Sequence, residues 1–161
     1  RAMTARVAER LGCAAEDVLV ASTGVIGRFL PLDRLLTGID KAAAALQPTS
    51  AALLDAATAM MTTDTVPKLA TREVTLQGRA VRITGVCKGA AMIAPNMATM
   101  LGAILSDVQL PPAAAAKHLQ GAVRDSFNCI SVDGHESTSD SVFLFANGAA
   151  GVGPTTAEEM E

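Results

Sequence analysis

Glu73-Val74-Thr75-Leu76-Gln77-Gly78-Arg79-Ala80-Val81-Arg82-Ile83-Thr84 alternates polar and apolar residues on both sides of Gly78. A two-residue side-chain period belongs to a strand with unlike faces, and a glycine between two such runs marks a hairpin. The second run continues through Val86-Cys87-Lys88-Gly89 toward a stretch rich in Ala, Met and Pro. Beyond it, Thr99-Met100-Leu101-Gly102-Ala103-Ile104-Leu105 is short and apolar, which predicts a buried strand. Such a strand needs cover by helices or a second sheet. Pro111 and Pro112 open a helix with Ala116, Leu119, Val123 and Phe127 inward, leaving His118 on the solvated side. Cys129-Ile130-Ser131-Val132 reads as another short strand, and Val142-Phe143-Leu144-Phe145 as either strand or buried helix.

Upstream, Val7 and Leu11 fit the end of an amphipathic helix that Gly12 stops. Asp17-Val18-Leu19-Val20-Ala21 reads as a buried strand running into the turn Ser22-Thr23-Gly24-Val25-Ile26-Gly27. Leu32, Leu35, Leu36, Ile39, Ala43 and Leu46 repeat at helical spacing until Pro48. Thr49 or Ser50 caps a further helix with Leu53, Ala57 and Met60 on one face. The tail from Gly148 is rich in Gly and Ala, then acidic, and reads as loose. Strands and helices alternate, with no internal repeat and no linker. The fold class is therefore α/β, a sandwich of mixed sheets covered by helices, in a single domain over 1–161.

Composition narrows the function. The 161 residues are 50% apolar and 18% charged, which is a globular balance rather than a disordered one. A net charge of −3, scattered basic residues and no Trp or Tyr argue against a nucleic-acid partner. Cys13, Cys87 and Cys129 are odd in number and lack a Cys-x-x-Cys spacing, so they read as free thiols of a reducing compartment. No run reaches the roughly 20 apolar residues of a membrane span, and no signal-peptide pattern opens the chain. A cytoplasmic location without membrane contact is the expectation. A start at Arg1 suggests a segment of something longer.

Common catalytic patterns are missing. His135-Glu136 has no second His at helical spacing for a zinc site. A Cys129, His135, Asp140 triad is weakly supported, and no Gly-x-Ser-x-Gly elbow or phosphate loop occurs. What remains is a set of hydroxyl- and glycine-rich loops: Ser22-Thr23-Gly24, Thr62-Thr63-Asp64-Thr65, Lys88-Gly89 and Asn96-Met97-Ala98-Thr99. A hydroxyl and a glycine amide at one strand end can aim two donors at one spot. Lys88 between two apolar segments would pair with a carboxylate or hold a ligand's negative charge.

Several of these stretches occur in the order of one family. Ser22 to Gly27 with Leu30-Pro31-Leu32-Asp33, then Thr62 to Lys68, then Lys88-Gly89 and Met92-Ile93-Ala94-Pro95-Asn96-Met97-Ala98-Thr99-Met100-Leu101 closely resemble the ornithine acetyltransferase family. Ser126-Phe127-Asn128 and Val132-Asp133-Gly134 extend the resemblance over about Leu11 to Gly148. It implies the aminopeptidase-like fold of that family and a bifunctional glutamate N-acetyltransferase of arginine biosynthesis. By that likeness the precursor cuts itself between Ala98 and Thr99, giving an α-chain portion 1–98 and a β-chain portion from 99. Thr99 is then the nucleophile, with its own α-amine as base. Thr23 and Gly24 are the oxyanion hole, and Thr62, Lys88 and Thr99 contact substrate. The implied partners are N-acetylornithine, glutamate and the paired α and β chains of a heterotetramer. No metal or bound cofactor is implied. Acetyl-CoA serves some members as a second donor, and nothing in the sequence decides that here.

The chain departs from the family pattern at Ala90-Ala91, where Ser-Gly is usual, and at Arg28, where an acidic residue is usual. It departs again in Gly134-His135-Glu136-Ser137-Thr138-Ser139-Asp140. A side chain at Ala91 is expected to strain a position that prefers glycine. The rival readings are a peptidase or amidase using the same Thr99, a catalytically incomplete fragment that acts only with missing segments, and a binding module without cleavage.

Overall fold

The computed structural model describes residues 1–25, 27–94 and 99–154. It divides into two compact units, Arg1–Leu53 and Leu54–Glu161.

In the first unit, helix α1 spans Ala2–Leu11 and α2 spans Leu32–Ala44. Gly12 ends α1 in the left-handed conformation, φ 69°, and its N–H returns to the Ala8 carbonyl at 2.8 Å. That conformation carries no Cβ penalty in glycine, so the sequence stops the helix where expected. Asp40 of α2 accepts from Arg10 Nε of α1 at 2.7 Å. The strand expected over Asp17–Ala21 does not form. A 3₁₀ turn occupies Ala15–Asp17, and no ladder follows it. A strand exists only by pairing, and no other strand lies in this unit among the described residues. Leu19 and Val20 stay exposed.

Helix α3, Ser50–Ala59, crosses the boundary between the units. Thr49 caps it, its hydroxyl accepting from the Ala52 N–H at 3.2 Å. Ala57 is fully buried, as its place on the apolar face requires.

In the second unit, β1 (Lys68–Leu76) and β2 (Arg79–Lys88) form the hairpin and extend it well beyond the alternating core of the pattern. Gln77 and Gly78 both have positive φ, 50° and 74°. Two left-handed residues make the turn whose twist matches that of paired strands. Strand β3 is Leu101–Ser106 and β4 is Ser141–Ala146. The sheet order is β1-β2-β3-β4, antiparallel except for the parallel pair β3 and β4. Helix α4, Pro112–Arg124, supplies the crossover that a parallel pair needs and packs on β4. Pro112 stands in its first turn, where its missing N–H costs nothing.

The α/β class and the mixed sheet match the expectation. Val142–Phe145 resolves as strand, because β3 offers it a partner. Cys129–Val132 does not. It begins in a 3₁₀ turn, Phe127–Cys129, and the Val132 N–H goes to the Ile93 carbonyl of a loop, at 2.8 Å. Leu119, Val123 and Phe127 are half-buried as expected, but Ala116 is exposed and His118 half-buried, so the packed face of α4 is shifted partly toward His118. The tail is not loose through Pro154. Val152 is buried with Val81 and Val108, and the Gln109 N–H donates to the Val152 carbonyl at 2.8 Å. Apolar burial under the hairpin outweighs the freedom of a Gly-rich segment.

Candidate active site

The site lies where β2 ends and β3 begins. The register pairs Lys88 with Leu101, which brings the loop after β2 alongside Thr99 and Met100. Gly89 makes that approach possible. Its φ is 152°, and a Cβ there would stand 3.3 Å from the Thr99 carbonyl oxygen and 3.4 Å from Ile93 Cδ1. Both the backbone angle and the space demand glycine.

Asp64 holds this loop from below. Its side chain is wholly inaccessible. Oδ1 accepts from the Gly89 N–H at 2.7 Å and from Lys68 Nζ, and Oδ2 accepts from the Thr62 N–H at 3.3 Å. Burial alone would raise the carboxyl pKa. The Lys68, Gly89 and Thr62 donors and the Lys68 charge outweigh it and hold the pKa at about 2. Asp64 therefore ties three parts of the sequence motifs together: Thr62, Lys68 and the Lys88-Gly89 loop.

Lys88 is 2% exposed. Burial lowers its pKa, and the charges of Asp64 and Asp140 oppose that. The semi-buried lysine inferred from the sequence is in fact fully buried, beside Asp64 and Asp140. Thr99 Oγ1 is buried without a hydrogen-bond partner among the described residues. A buried hydroxyl with unmet capacity is uncommon and calls for a functional reason. Asp140 Oδ1 accepts from the Met100 N–H at 2.5 Å, while Oδ2 is buried with no partner among the described residues.

A third acid holds the loop that follows Gly89. Asp133 accepts from the N–H groups of Met92 at 2.7 Å, Ile93 at 2.9 Å and His135 at 3.2 Å. The bond from Met92, only partly offset by desolvation, leads the lowering of its pKa. Met92 has φ 57°, so the left-handed strain expected at Ala91 falls one residue later. Asp133 is what holds it there. The weak triad is absent: Asp140 binds the Met100 backbone, the Cys129 thiol donates to the Arg124 carbonyl at 3.4 Å, and His135 faces Asp133.

Thr62, Lys88 and Thr99 thus gather in the second unit. Thr62 itself is exposed, linked through its backbone to Asp64. Thr23 and Gly24 lie in the first unit, in an irregular loop rather than at a strand end, with Thr23 half-buried and Gly24 exposed. Ala98 lies outside the described residues. Asp64 and Asp133 are functional candidates that sequence reasoning missed, and Asp140, named there only for the Cys129, His135, Asp140 triad, binds the Met100 backbone instead. Asp64 and Asp140 each stand inside a quoted polar motif, but nothing in a polar loop announces which carboxylate turns inward.

These features define an α/β protein whose candidate site, with Thr99 at its middle, is built on the loops at one end of a mixed sheet. The model of the ArgJ family matches residues 1–161, and the chain belongs to that family. It is 46% identical over 158 residues to the arginine biosynthesis bifunctional protein ArgJ of Zymomonas mobilis, covering 98% of this chain and 38% of that protein. The protein of the same name from Chlorobium chlorochromatii is 48% identical over 149 residues, 92% of this chain and 34% of its own length. A relative from Paracoccidioides lutzii, named as mitochondrial, is 53% identical over 138 residues, 84% of this chain and 29% of its own. The chain thus spans about a third of the length of these relatives.

Proposed function

We propose that this chain carries the self-cleaving and acetyl-accepting part of a glutamate N-acetyltransferase of arginine biosynthesis. The observation that carries the reading is the buried Thr99 Oγ1, without a partner among the described residues and set against the glycine that follows Lys88. The names of the relatives support the pathway.

The Thr99 hydroxyl attacks the Ala98 carbonyl carbon, and the peptide nitrogen leaves as the Thr99 amine. Water then hydrolyses the Ala98 ester. Residues to 98 become one chain and residues from 99 the other, which assemble as paired α and β chains in a heterotetramer. The new α-amine, with an intrinsic pKa near 8, is neutral at cellular pH far more often than a lysine and so is available to take the proton from its own hydroxyl. Thr99 Oγ accepts acetyl from N-acetylornithine, ornithine leaves, and the glutamate amine attacks the ester to give N-acetylglutamate. Thr23 and Gly24 serve as donors to the oxyanion in each attack. No helix among the described residues is long and apolar enough to cross a membrane. A cytoplasmic site of action is part of the proposal.

Lys88 suits the α-carboxylate that donor and acceptor share, and Thr62 lines the same loop cluster. One carboxylate site explains how both substrates use the pocket in turn. Lys88→Met should raise KM for N-acetylornithine and for glutamate by about 10–100-fold each, the range of a lost charge-assisted bond. An unchanged KM for either substrate would remove Lys88 from that role.

The direct test incubates the full-length protein with acetyl-labelled N-acetylornithine, with and without glutamate. Labelled N-acetylglutamate, formed only with glutamate, is the expected product. Free acetate at the same rate without glutamate would mark an amidase instead.

A further inference from the structure

The carboxylate beside the nucleophile has a job beyond holding a strand end. The parallel register pairs Leu101 with Ser141, so Met100 and Asp140 each precede a paired residue. Two bonds lock them: the Ser141 N–H donates to the Met100 carbonyl at 3.0 Å, and the Met100 N–H donates to Asp140 Oδ1 at 2.5 Å. One oxygen of Asp140 suffices for this lock. The other, Oδ2, is buried and has no partner among the described residues.

Taking a carboxylate oxygen out of water with nothing to accept is costly unless a partner arrives in another state. Cleavage before Thr99 supplies one. It turns a neutral peptide N–H into an amine that can be protonated, one residue ahead of the nitrogen that Asp140 already holds. Successive backbone nitrogens lie about 3–4 Å apart. A carboxylate bound to one can reach the other with its second oxygen.

We propose that Asp140 is the positioning residue of the nucleophile, pinning the Met100 N–H with Oδ1 and receiving the freed Thr99 α-ammonium on Oδ2. The inference rests on Thr99 being the self-processed nucleophile. The other charge facing this group is Lys88, across from β3 at the end of β2. Lys88 repels an ammonium and favours the neutral, basic amine. Asp140 opposes it, so the two set the balance between a held amine and a working base. In the uncleaved chain, burial raises the Asp140 carboxyl pKa, against the Met100 bond and the Lys88 charge. That direction suits an acid still waiting for its cation.

The test compares wild type, Asp140→Asn and Asp140→Ala in the full-length protein. Cleavage is followed by intact mass and acetyl transfer by kcat/KM against pH. Asp140→Asn keeps an acceptor for Met100 and should cleave within about threefold of wild type. Its acidic limb of kcat/KM should move about one pH unit lower, because the amine has lost its counter-charge. Asp140→Ala should cleave more than tenfold slower. A merely structural role would reduce Tm and the active fraction without moving the limb. An unmoved limb in Asp140→Asn overturns the pairing with the ammonium, and Asp140→Ala cleaving at the wild-type rate overturns the pinning. Wild type that neither cleaves nor transfers acetyl would fell the functional reading, and this inference with it. An active wild type with indifferent variants would fell this inference alone.

Discussion

Thr99→Ala leaves the full-length protein as one uncut chain and lowers acetyl transfer by more than about 10³-fold, the scale seen when a covalent nucleophile is removed. The expectation follows from two roles falling on one oxygen. In the proposed function that oxygen opens the peptide bond before it and afterwards carries the acetyl group. The variant should still fold. Thr99 Oγ1 has no hydrogen-bond partner among the described residues, so the stability change should stay within about 1 kcal/mol. Intact mass and a melting curve on the same sample separate loss of chemistry from loss of fold. Thr99→Ser restores a hydroxyl and should restore cleavage. A Thr99→Ala protein that is cut between 98 and 99, or that transfers acetyl at the wild-type rate, would end the account.

The second large effect belongs to a residue that touches no substrate in the proposal. Asp64→Ala should destabilise the second unit by about 2–4 kcal/mol, because it strands the N–H of Gly89 and leaves Lys68 without its anion. The figure sits below the full range for a broken buried ion pair because the Lys68 side chain is 39% exposed and can rehydrate. The acid side of the stability curve gives an independent check. The folded carboxyl titrates at about 2 against an ordinary 3.8, so its contribution is present above about pH 4 and is lost as pH falls toward 2. Over that window the loss is on the order of 2 kcal/mol. Asp140 has the opposite sign: its folded pKa is raised, so its contribution grows as pH falls. Chemical unfolding of wild type and Asp64→Asn at stepped pH isolates the Asp64 part as their difference. Parallel curves for the two proteins would show that the three donors do not hold this carboxylate as described.

Asp64 also has a kinetic consequence through Gly89. Its carboxylate fixes the backbone that abuts the Thr99 carbonyl, so the Asp64 variants should cleave more slowly even at temperatures where they remain folded. Misplacing a reacting group by about 1 Å is enough to cost on the order of 10² in rate.

Local chemistry was legible in the sequence. Gly12, Thr49, Gly78 and Pro112 each act through their own backbone or the adjacent turn, so the stops, caps and hairpin appear where the residues stand. The order of the motifs placed Lys88, Gly89 and Thr99 in one region, because a hairpin and a following strand return the chain to its own neighbour. Pairing was not legible. Asp17–Ala21 and Cys129–Val132 have strand composition without a partner, while Val142–Phe145 becomes a strand because β3 lies beside it. The inward turn of Asp64 and Asp140 was also decided only by tertiary structure. A carboxylate's burial depends on donors brought from residues 25 and 40 positions away, and no local pattern encodes such a meeting. The order of the motifs was enough to pick out Thr99 and the glycine that faces it; the folded sheet alone determined which acids stand around them, since charge is held in place by partners distant along the chain.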